Sequence, residues 1–224
     1  MYDIAAIRQE FPILNQEVYG KPLVYLDNAA TTQKPRCVLE AIERAYTSAN
    51  ANVHRGVHYL SQIVTEHHEA ARRRVADFVG APSAEGLIFT RGTTEAINLV
   101  AYCIGERYVQ PGDEILVSTM EHHANIVPWQ LMCARRGAEL RVVPLTSEGE
   151  LDMEAYRALL SERTRLVALA HVSNVLGTVN PVAECVRLAH EAGALVLLDG
   201  AQAVAHTSVD VAALGADFYA FSAY

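Results

Sequence analysis

The sequence contains no long hydrophobic run, although half of its 224 residues are hydrophobic. No uninterrupted apolar stretch approaches the roughly 20 residues that are needed to cross a bilayer. The first ten residues also lack a basic region followed by an apolar one, which is the pattern of a secretory signal. These absences predict a soluble, cytoplasmic protein that has no membrane partner.

Cysteines and basic residues are scarce as well. The four cysteines are widely separated and form no CxxC pair, which excludes a disulfide scaffold and favours a reducing compartment. The formal net charge is −8, and the one basic tract, residues 72–74, lies within a helical pattern. An acidic chain of this kind is not typical of a nucleic-acid-binding protein.

From residue 87 onward, short runs of Val, Ile and Leu alternate with longer helical patterns. This alternation indicates βαβ units that build a parallel sheet covered on both faces. We predict six strands, at residues 87–90, 115–118, 140–144, 166–171, 195–199 and 218–222. We predict helices between them at residues 94–108, 125–136, 152–160 and 182–192. The predicted fold class is therefore α/β, with a mostly parallel central sheet and helices on both faces.

The part of the chain before residue 87 has a different pattern. An amphipathic start at residues 4–11 is followed by an extended segment at 23–26 and by helical patterns at 37–49 and 61–79. We therefore predict an N-terminal segment, residues 1–86, and a larger domain, residues 87–224.

A turn of small residues, 90–96, follows the first predicted strand and leads directly into a helix. In open α/β sheets, ligands bind beyond the carboxyl ends of the strands. The free backbone N–H groups of this turn and the hydroxyls of Thr93 and Thr94 are typical of a phosphate site at the positive end of a helix. An ordinary helix N-cap explains the same residues about equally well.

A histidine pair, His122 and His123, follows the second predicted strand. Two histidines can bind a metal, but no third ligand stands at zinc-like spacing here or near the other histidine pairs, so we predict no metal site. We favour an imidazole that stacks on an aromatic cofactor ring. A solvated loop histidine is the alternative for this turn taken by itself.

The predicted strand 195–199 ends in Asp199, which has no basic neighbour in the sequence. Burying a carboxylate is costly unless a cation meets it, and a protonated pyridine nitrogen is such a cation. A helix N-cap or a magnesium ligand remains open for this residue. Asn174, in the turn after strand 166–171, is placed to contact the phenolic oxygen of such a cofactor or a substrate carboxylate, although an asparagine in a turn is common.

These three features together are specific, and the segments that carry them resemble the group II cysteine desulfurases of the sulfur-mobilisation (Suf) type. The resemblance runs in order over nearly the whole chain. It is carried by residues 27–32, 52–58, 91–99, 121–129, 171–177 and 199–203.

The resemblance implies the large domain of the fold-type I (class V aminotransferase) enzymes, working as a homodimer with pyridoxal 5'-phosphate (PLP). That family releases sulfur from L-cysteine to leave L-alanine and an enzyme persulfide, which serves iron–sulfur cluster assembly through a possible sulfur-acceptor protein. Some members prefer L-selenocysteine, so a selenocysteine lyase or another class V enzyme remains an alternative. The N-terminal segment would form part of the substrate and dimer region.

The resemblance also implies roles for individual residues. Thr93, Thr94 and Ser222 would hold the phosphate. His122 would stack on the pyridine ring as a catalytic residue, and Asp199 would pair with the ring nitrogen. Gln202 and Asn174 would contact the ring oxygen or the substrate. The remaining implied substrate contacts are Ala29, Ala30, His54 and Arg55.

The chain departs from the family pattern at its end. Tyr224 stands where the family has a histidine; its hydroxyl can still bond to phosphate, but a phenol with a pKa of about 10 is a poorer proton shuttle at neutral pH. The family continues with a lysine that forms a Schiff base with the cofactor, and we expect this lysine directly after Tyr224.

Two explanations for the missing lysine remain open. Either the next residue is a lysine already bonded to the cofactor, which we favour, or the polypeptide stops here. A lysine-free fragment would be catalytically incomplete and would act only as an interaction module. The family's sulfur-accepting cysteine and its carboxylate-binding arginine lie further along the chain. We therefore do not expect a persulfide on any of the four cysteines, which are Cys37, Cys103, Cys133 and Cys185.

Overall fold

The computed structural model describes residues 2–223 and divides the chain into two compact units. The first unit ends at Arg74, and the second spans Val75–Ala223. The predicted division between residues 86 and 87, which rests on the change of sequence pattern there, stays a prediction. No helix within residues 2–223 is long and apolar enough to cross a membrane.

The first unit contains short helices and one small hairpin. Its elements are α1 (Ile4–Gln9), a 3-10 turn (Pro12–Asn15), β1 (Glu17–Val18), β2 (Lys21–Pro22), α2 (Arg36–Ser48) and most of α3 (Tyr59–Phe78). Tyr19 and Gly20 both have positive φ, 55° and 71°, as a two-residue hairpin turn requires. This turn pairs the residues directly beside it, and the segment at 23–26, predicted to be extended, follows β2 without belonging to a strand.

The second unit is built on a five-stranded sheet in which every neighbouring pair is parallel. Its strands are β3 (Glu114–Ser118), β4 (Glu139–Val143), β5 (Thr164–Ala170), β6 (Leu195–Asp199) and β7 (Phe218–Ala220). Their order across the sheet is β4-β3-β5-β6-β7. The predicted α/β fold class is confirmed.

Helices cover both faces of this sheet, as the apolar strands require. They are α4 (Thr93–Arg107), α5 (Val127–Arg136), α6 (Met153–Leu159), α7 (Val182–Glu191), α8 (Ala203–His206) and α9 (Val211–Leu214), with 3-10 turns at Ala84–Gly86 and His123–Asn125. Ile115 and Val117 face one core cluster with Trp129 of α5. Leu116, which lies between them in β3, faces the other cluster with Tyr156 of α6.

Two predicted helix boundaries coincide with capping residues in the structure. Asp152 caps α6, because its Oδ1 accepts the backbone N–H groups of Glu154 and Ala155 at 3.0 and 2.9 Å. Gly137 ends α5 in the left-handed conformation, with a φ of 70°.

The predicted strand at residues 87–90 is not a strand of the sheet. Leu87 has an extended backbone, with φ −86° and ψ 121°, but the segment 87–90 joins no strand ladder within residues 2–223. Apolar and aromatic residues favour an extended backbone, whereas membership of a sheet depends on tertiary pairing that a local pattern does not specify. The sheet therefore has five strands rather than six.

Candidate cofactor site

The candidate site lies at the carboxyl edge of the parallel sheet. The chain leaves β3 for β4 on one side and then returns to β5 on the other side. The crevice between β3 and β5 is therefore a topological switch point, where open α/β sheets bind ligands. The segments after β3, β5 and β6 carry His122, Asn174 and Asp199.

Thr93 and Ser222 meet where α4 begins. The backbone N–H of Thr93 donates to Ser222 Oγ at 3.0 Å, and the two hydroxyl oxygens are 2.8 Å apart. Gly92 has a φ of 144°, and a Cβ atom there would stand 3.4 Å from Ser222 Oγ. Thr94 is exposed in the first turn. A glycine-led helix start that carries hydroxyl groups fits an anion such as a phosphate.

Asp199 is a buried carboxylate at the end of β6, with only 6% of its surface exposed. Its Oδ1 accepts the backbone N–H of Ala201 at 3.0 Å. Within residues 2–223, no lysine or arginine forms an ion pair with it. Burial raises the pKa of Asp199, while the bond from Ala201 and the charge of His122 lower it. Such a carboxylate fits a cationic ligand, because the ligand would offset the cost of burial.

His122 lies in the turn after β3 and is exposed. Its Nδ1 accepts the backbone N–H of Ala124 at 3.1 Å, so the neutral ring carries its proton on Nε2. The imidazole is close enough to Asp199 to affect the pKa of that carboxyl group. An exposed ring beside a buried carboxylate is the arrangement that a stacking role requires.

Glu121 was not predicted from the sequence, although it is the most connected side chain near this edge. It is 7% exposed and lies between the ends of β3 and β5. Its Oε1 accepts Ser118 Oγ at 2.5 Å and the backbone N–H of Ala170 at 3.0 Å. Its Oε2 accepts Asn125 Nδ2 at 2.7 Å. Burial raises the pKa of Glu121 to about 7, and the nearby Asp199 adds to that rise, while these hydrogen bonds oppose it.

A signal for this cluster was present in the sequence. Glu121, Asn125 and Trp129 recur at intervals of four residues, which places their side chains on one side of a helical turn. Trp129 Nε1 donates to Asn125 Oδ1 at 3.0 Å, which completes the chain of bonds. The bond to Ala170 joins residues 49 positions apart, and no local pattern predicts it.

His171 and Tyr219 form a second unpredicted pair beside Asp199. His171 Nδ1 and the Tyr219 hydroxyl are 2.9 Å apart. Burial lowers the pKa of His171, and both burial and the charge of Asp199 raise the pKa of Tyr219. A Cβ atom at Gly200 would stand 2.1 Å from the Tyr219 ring, so only glycine fits after Asp199.

Asn174 and Gln202 lie after β5 and β6, as predicted. Asn174 is exposed in a turn that Ser173 holds, because Ser173 Oγ accepts the backbone N–H of Leu176 at 3.1 Å. Gln202 is half-buried directly before α8. Their contacts with a ring oxygen or a substrate stay predictions.

The implied substrate residues belong to the first unit. Ala29, Ala30, His54 and Arg55 are all exposed there. His54 has a positive φ of 66°, an unusual conformation for a residue other than glycine. Their role toward a substrate stays a prediction. Tyr224 lies outside the described residues, so its predicted bond to phosphate also stays a prediction.

The first unit brings together three side chains that sequence spacing did not connect. The nitrogens and oxygens of His54, His68 and Glu69 lie within 4.8 Å of one another, a geometry that can hold a metal. The guanidinium of Arg72 already lies among them, 3.1 Å from His68 Nε2 and 3.2 Å from Glu69 Oε2. Because this cation supplies the positive charge that Glu69 requires, we interpret the cluster as a hydrogen-bonded network.

The four cysteines are free thiols. Cys133 and Cys185 are buried, and burial raises their pKa values to about 11 and about 12, which suppresses the reactive thiolate. Cys37 and Cys103 are exposed, on α2 and α4. None of the four is in one of the segments that follow β3, β5 and β6.

An open groove of about 530 Å³ lies between α7 and α9, away from the residues described above. Ala183, Val186 and His190 are among the residues that line it. It contains none of the predicted site residues, so the site rests on the chemistry of the sheet edge rather than on the size of a cavity.

The fold and the polar residues at the carboxyl edge of its sheet define an α/β protein with a candidate ligand site at a topological switch point. Residues 24–224 match the family model described as "Aminotransferase class-V". This match covers most of the chain, and the chain therefore belongs to that family.

The chain is similar to curated relatives and to solved structures that are named cysteine desulfurases. A protein named cysteine desulfurase from Dickeya dadantii (strain 3937) is 57% identical over 223 residues, which cover 100% of this chain and 54% of the relative. The apo structure of a cysteine desulfurase from Thermococcus onnurineus NA1 has a TM-score of 0.91 at 39% identity, covering 99% of this chain and 53% of that one.

The chain is also similar to a protein whose structure contains PLP. The structure of a C-DES mutant with glycine covalently linked to its PLP cofactor has a TM-score of 0.83 at 26% identity, covering 97% of this chain and 55% of that one. The chain spans from 33% to 55% of the length of the curated relatives that it matches.

Proposed function

We propose that this chain forms the cofactor-holding part of a PLP-dependent cysteine desulfurase. The observation that carries the proposal is Asp199, a buried carboxylate that forms no ion pair with a lysine or arginine within residues 2–223. Membership of the class V aminotransferase family and the names of the close relatives support the same cofactor and the same reaction.

The proposed roles follow from where each side chain lies. Asp199 would keep the pyridine nitrogen of PLP protonated, and His122 would cover one face of the ring. Thr93, Thr94 and Ser222 would hold the phosphate at the start of α4. When bound, PLP supplies an electron sink for the bond changes at the substrate.

The proposed reaction converts L-cysteine and an enzyme thiol into L-alanine and an enzyme persulfide. We propose Asn174 and Gln202 as further contacts at the ring oxygen or the substrate, and Ala29, Ala30, His54 and Arg55 as substrate contacts. The lysine that anchors the cofactor and the thiol that accepts sulfur are expected beyond residue 224. We also propose a homodimer in the cytoplasm that passes its sulfur to an acceptor protein.

The proposal is tested with the polypeptide at the length that its gene encodes. Intact mass shows whether a lysine follows Tyr224, and visible absorbance after addition of PLP reports cofactor binding. Alanine release from L-cysteine and from L-selenocysteine then distinguishes a desulfurase from a selenocysteine lyase.

One substitution tests the residue that carries the proposal. We expect Asp199→Asn to lower alanine release by about a hundredfold or more, because it removes the charge that stabilises the protonated ring. Asp210→Asn is the matched control, since Asp210 caps α9 and lies outside the site. Wild-type protein that binds no PLP, or alanine release that does not depend on Asp199, would overturn the proposal.

A further inference from the structure

The side chain of Glu121 connects the two groups between which the cofactor ring is proposed to lie. Along the chain it directly precedes His122. Through space it accepts the N–H of Ala170, and the N–H of the next residue, His171, donates to the carbonyl oxygen of Asp199 at 2.8 Å. One carboxyl group thus contacts both the turn of His122 and the strand that holds the backbone of Asp199.

Trp129 fixes the orientation of the Asn125 amide in this cluster. An indole N–H can only donate, so Asn125 must turn its Oδ1 toward Trp129 and its Nδ2 toward Glu121. Ala170 also presents an N–H, so both carboxyl oxygens of Glu121 must accept. A glutamine at this position would meet the Asn125 donor with a second donor.

This carboxyl group is costly for the fold. Glu121 is buried near a second buried acid, Asp199, and burial raises its pKa. A titratable group that is maintained in such a place, with a strongly shifted pKa and a specific set of partners, is a mark of a functional site.

We propose that Glu121 is a positioning residue of the cofactor site, whose carboxyl group holds the His122 turn and the end of β5 so that a bound ring has one orientation between His122 and Asp199. This inference rests on the proposed function, because it concerns the orientation of PLP. Glu121 itself need not touch the cofactor.

The test compares three variants of the polypeptide at the length that its gene encodes. Glu121→Gln places two donors against each other. The double variant Glu121→Gln with Asn125→Asp restores a donor facing an acceptor, and it still leaves an acceptor for Trp129. Tyr156→Phe is the structural control, because it removes a buried 2.8 Å hydrogen bond to the Cys185 carbonyl in the opposite core cluster.

The readouts are the dissociation constant of PLP and the circular dichroism that the protein induces in the bound cofactor at saturation. We expect Glu121→Gln to weaken PLP binding by about tenfold, as one unsatisfied buried group predicts, and to reduce the induced dichroism. The double variant should restore both toward the wild-type values. Tyr156→Phe should lower the thermal midpoint and leave both readouts unchanged.

A milder variant keeps the test decisive if Glu121→Gln does not fold. Ser118→Ala removes the hydroxyl that donates to Glu121 Oε1 and accepts the N–H of Met120, and it leaves the carboxyl group in place, so it should change both readouts in the same direction by a smaller amount. Unchanged dichroism and affinity in Glu121→Gln, or in Ser118→Ala where the former does not fold, would overturn the positioning role while the proposed function stands. Wild-type protein that binds no PLP would instead refute the proposed function.

Discussion

At the scale of single residues, the carboxyl edge of the sheet contains two buried acids with different partners. Asp199 accepts the backbone N–H of Ala201, whereas Glu121 accepts donors from two strand ends and a turn. Burial raises the pKa of both. The acid with few partners is suited to meet a charged ligand, and the acid with many partners is suited to hold its surroundings in place.

The raised pKa of Glu121 predicts a dependence of stability on pH. Its pKa is about 7 in the folded protein, against a usual value of 4.5, so the folded state keeps the proton that the unfolded state releases. This contribution to stability is complete below about pH 4.5 and is lost as the pH rises to about 7, at a cost of about 3 kcal/mol.

Urea unfolding of wild type and Glu121→Gln across this pH range measures that contribution. We expect the free energy of unfolding of the wild type to fall relative to that of the variant between about pH 4.5 and 7, since the amide does not titrate. Asp199 titrates in both proteins, so its contribution largely cancels. Parallel curves would show that Glu121 is ionised throughout.

At the scale of elements, the close approach of β6 and β7 depends on a single glycine. The backbone N–H of Gly200 donates to the carbonyl oxygen of Ala220 at 2.7 Å, while the Tyr219 ring occupies the space where a side chain of residue 200 would lie. Tyr219 in turn reaches His171, after β5. This contact ties together the ends of three neighbouring strands.

Gly200→Ala therefore should destabilise the protein through overpacking, by about 1–3 kcal/mol. Tyr219→Leu offers a matched background, because it removes the ring atoms that the new methyl group would meet. We expect the alanine substitution to cost clearly less in that background, measured as the free energy of unfolding in a double-mutant cycle. An equal cost in both backgrounds would place the strain elsewhere.

At the scale of the whole second unit, the buried ion pairs and the candidate cofactor site lie at opposite ends of the sheet. Glu114, at the start of β3, is fully buried and contacts Arg141 at 2.9 Å and Arg163 at 2.6 Å. Glu121 follows the other end of the same strand. Glu114 thus belongs to an ion-pair network at one end of β3, and Glu121 belongs to the candidate cofactor site at the other end.

Glu114→Ala should destabilise the protein by about 1–3 kcal/mol, because it leaves the Ser161 hydroxyl and the two arginines without their shared acceptor. Arg163→Ala, at an exposed partner, should cost less than about 1 kcal/mol. Neither change should alter the affinity for PLP of the protein that remains folded, which a cofactor titration at low temperature checks. A loss of affinity in Arg163→Ala would connect the two ends of the sheet.

Much of the fold was predictable because its signals are local. The helix end at Gly137 and the cap at Asp152 follow from the chemistry of single residues, and the buried strands follow from runs of apolar residues. The strand predicted at residues 87–90 was wrong because a local pattern favours an extended backbone but does not specify which segments pair in the sheet. Asp199 was found because a carboxylate at the end of an apolar strand is itself a local signal.

The sequence by itself determined the class of the protein, the positions of its sheet strands after residue 113 and the acid at the end of β6, since side-chain periodicity and turn chemistry act over a few residues. Only the tertiary structure decided that Glu121 meets Ala170, that Tyr219 fills the space beside Gly200 and that Thr93 meets Ser222. Those contacts join segments far apart in the chain, and their geometry depends on how parallel strands and their helices come together.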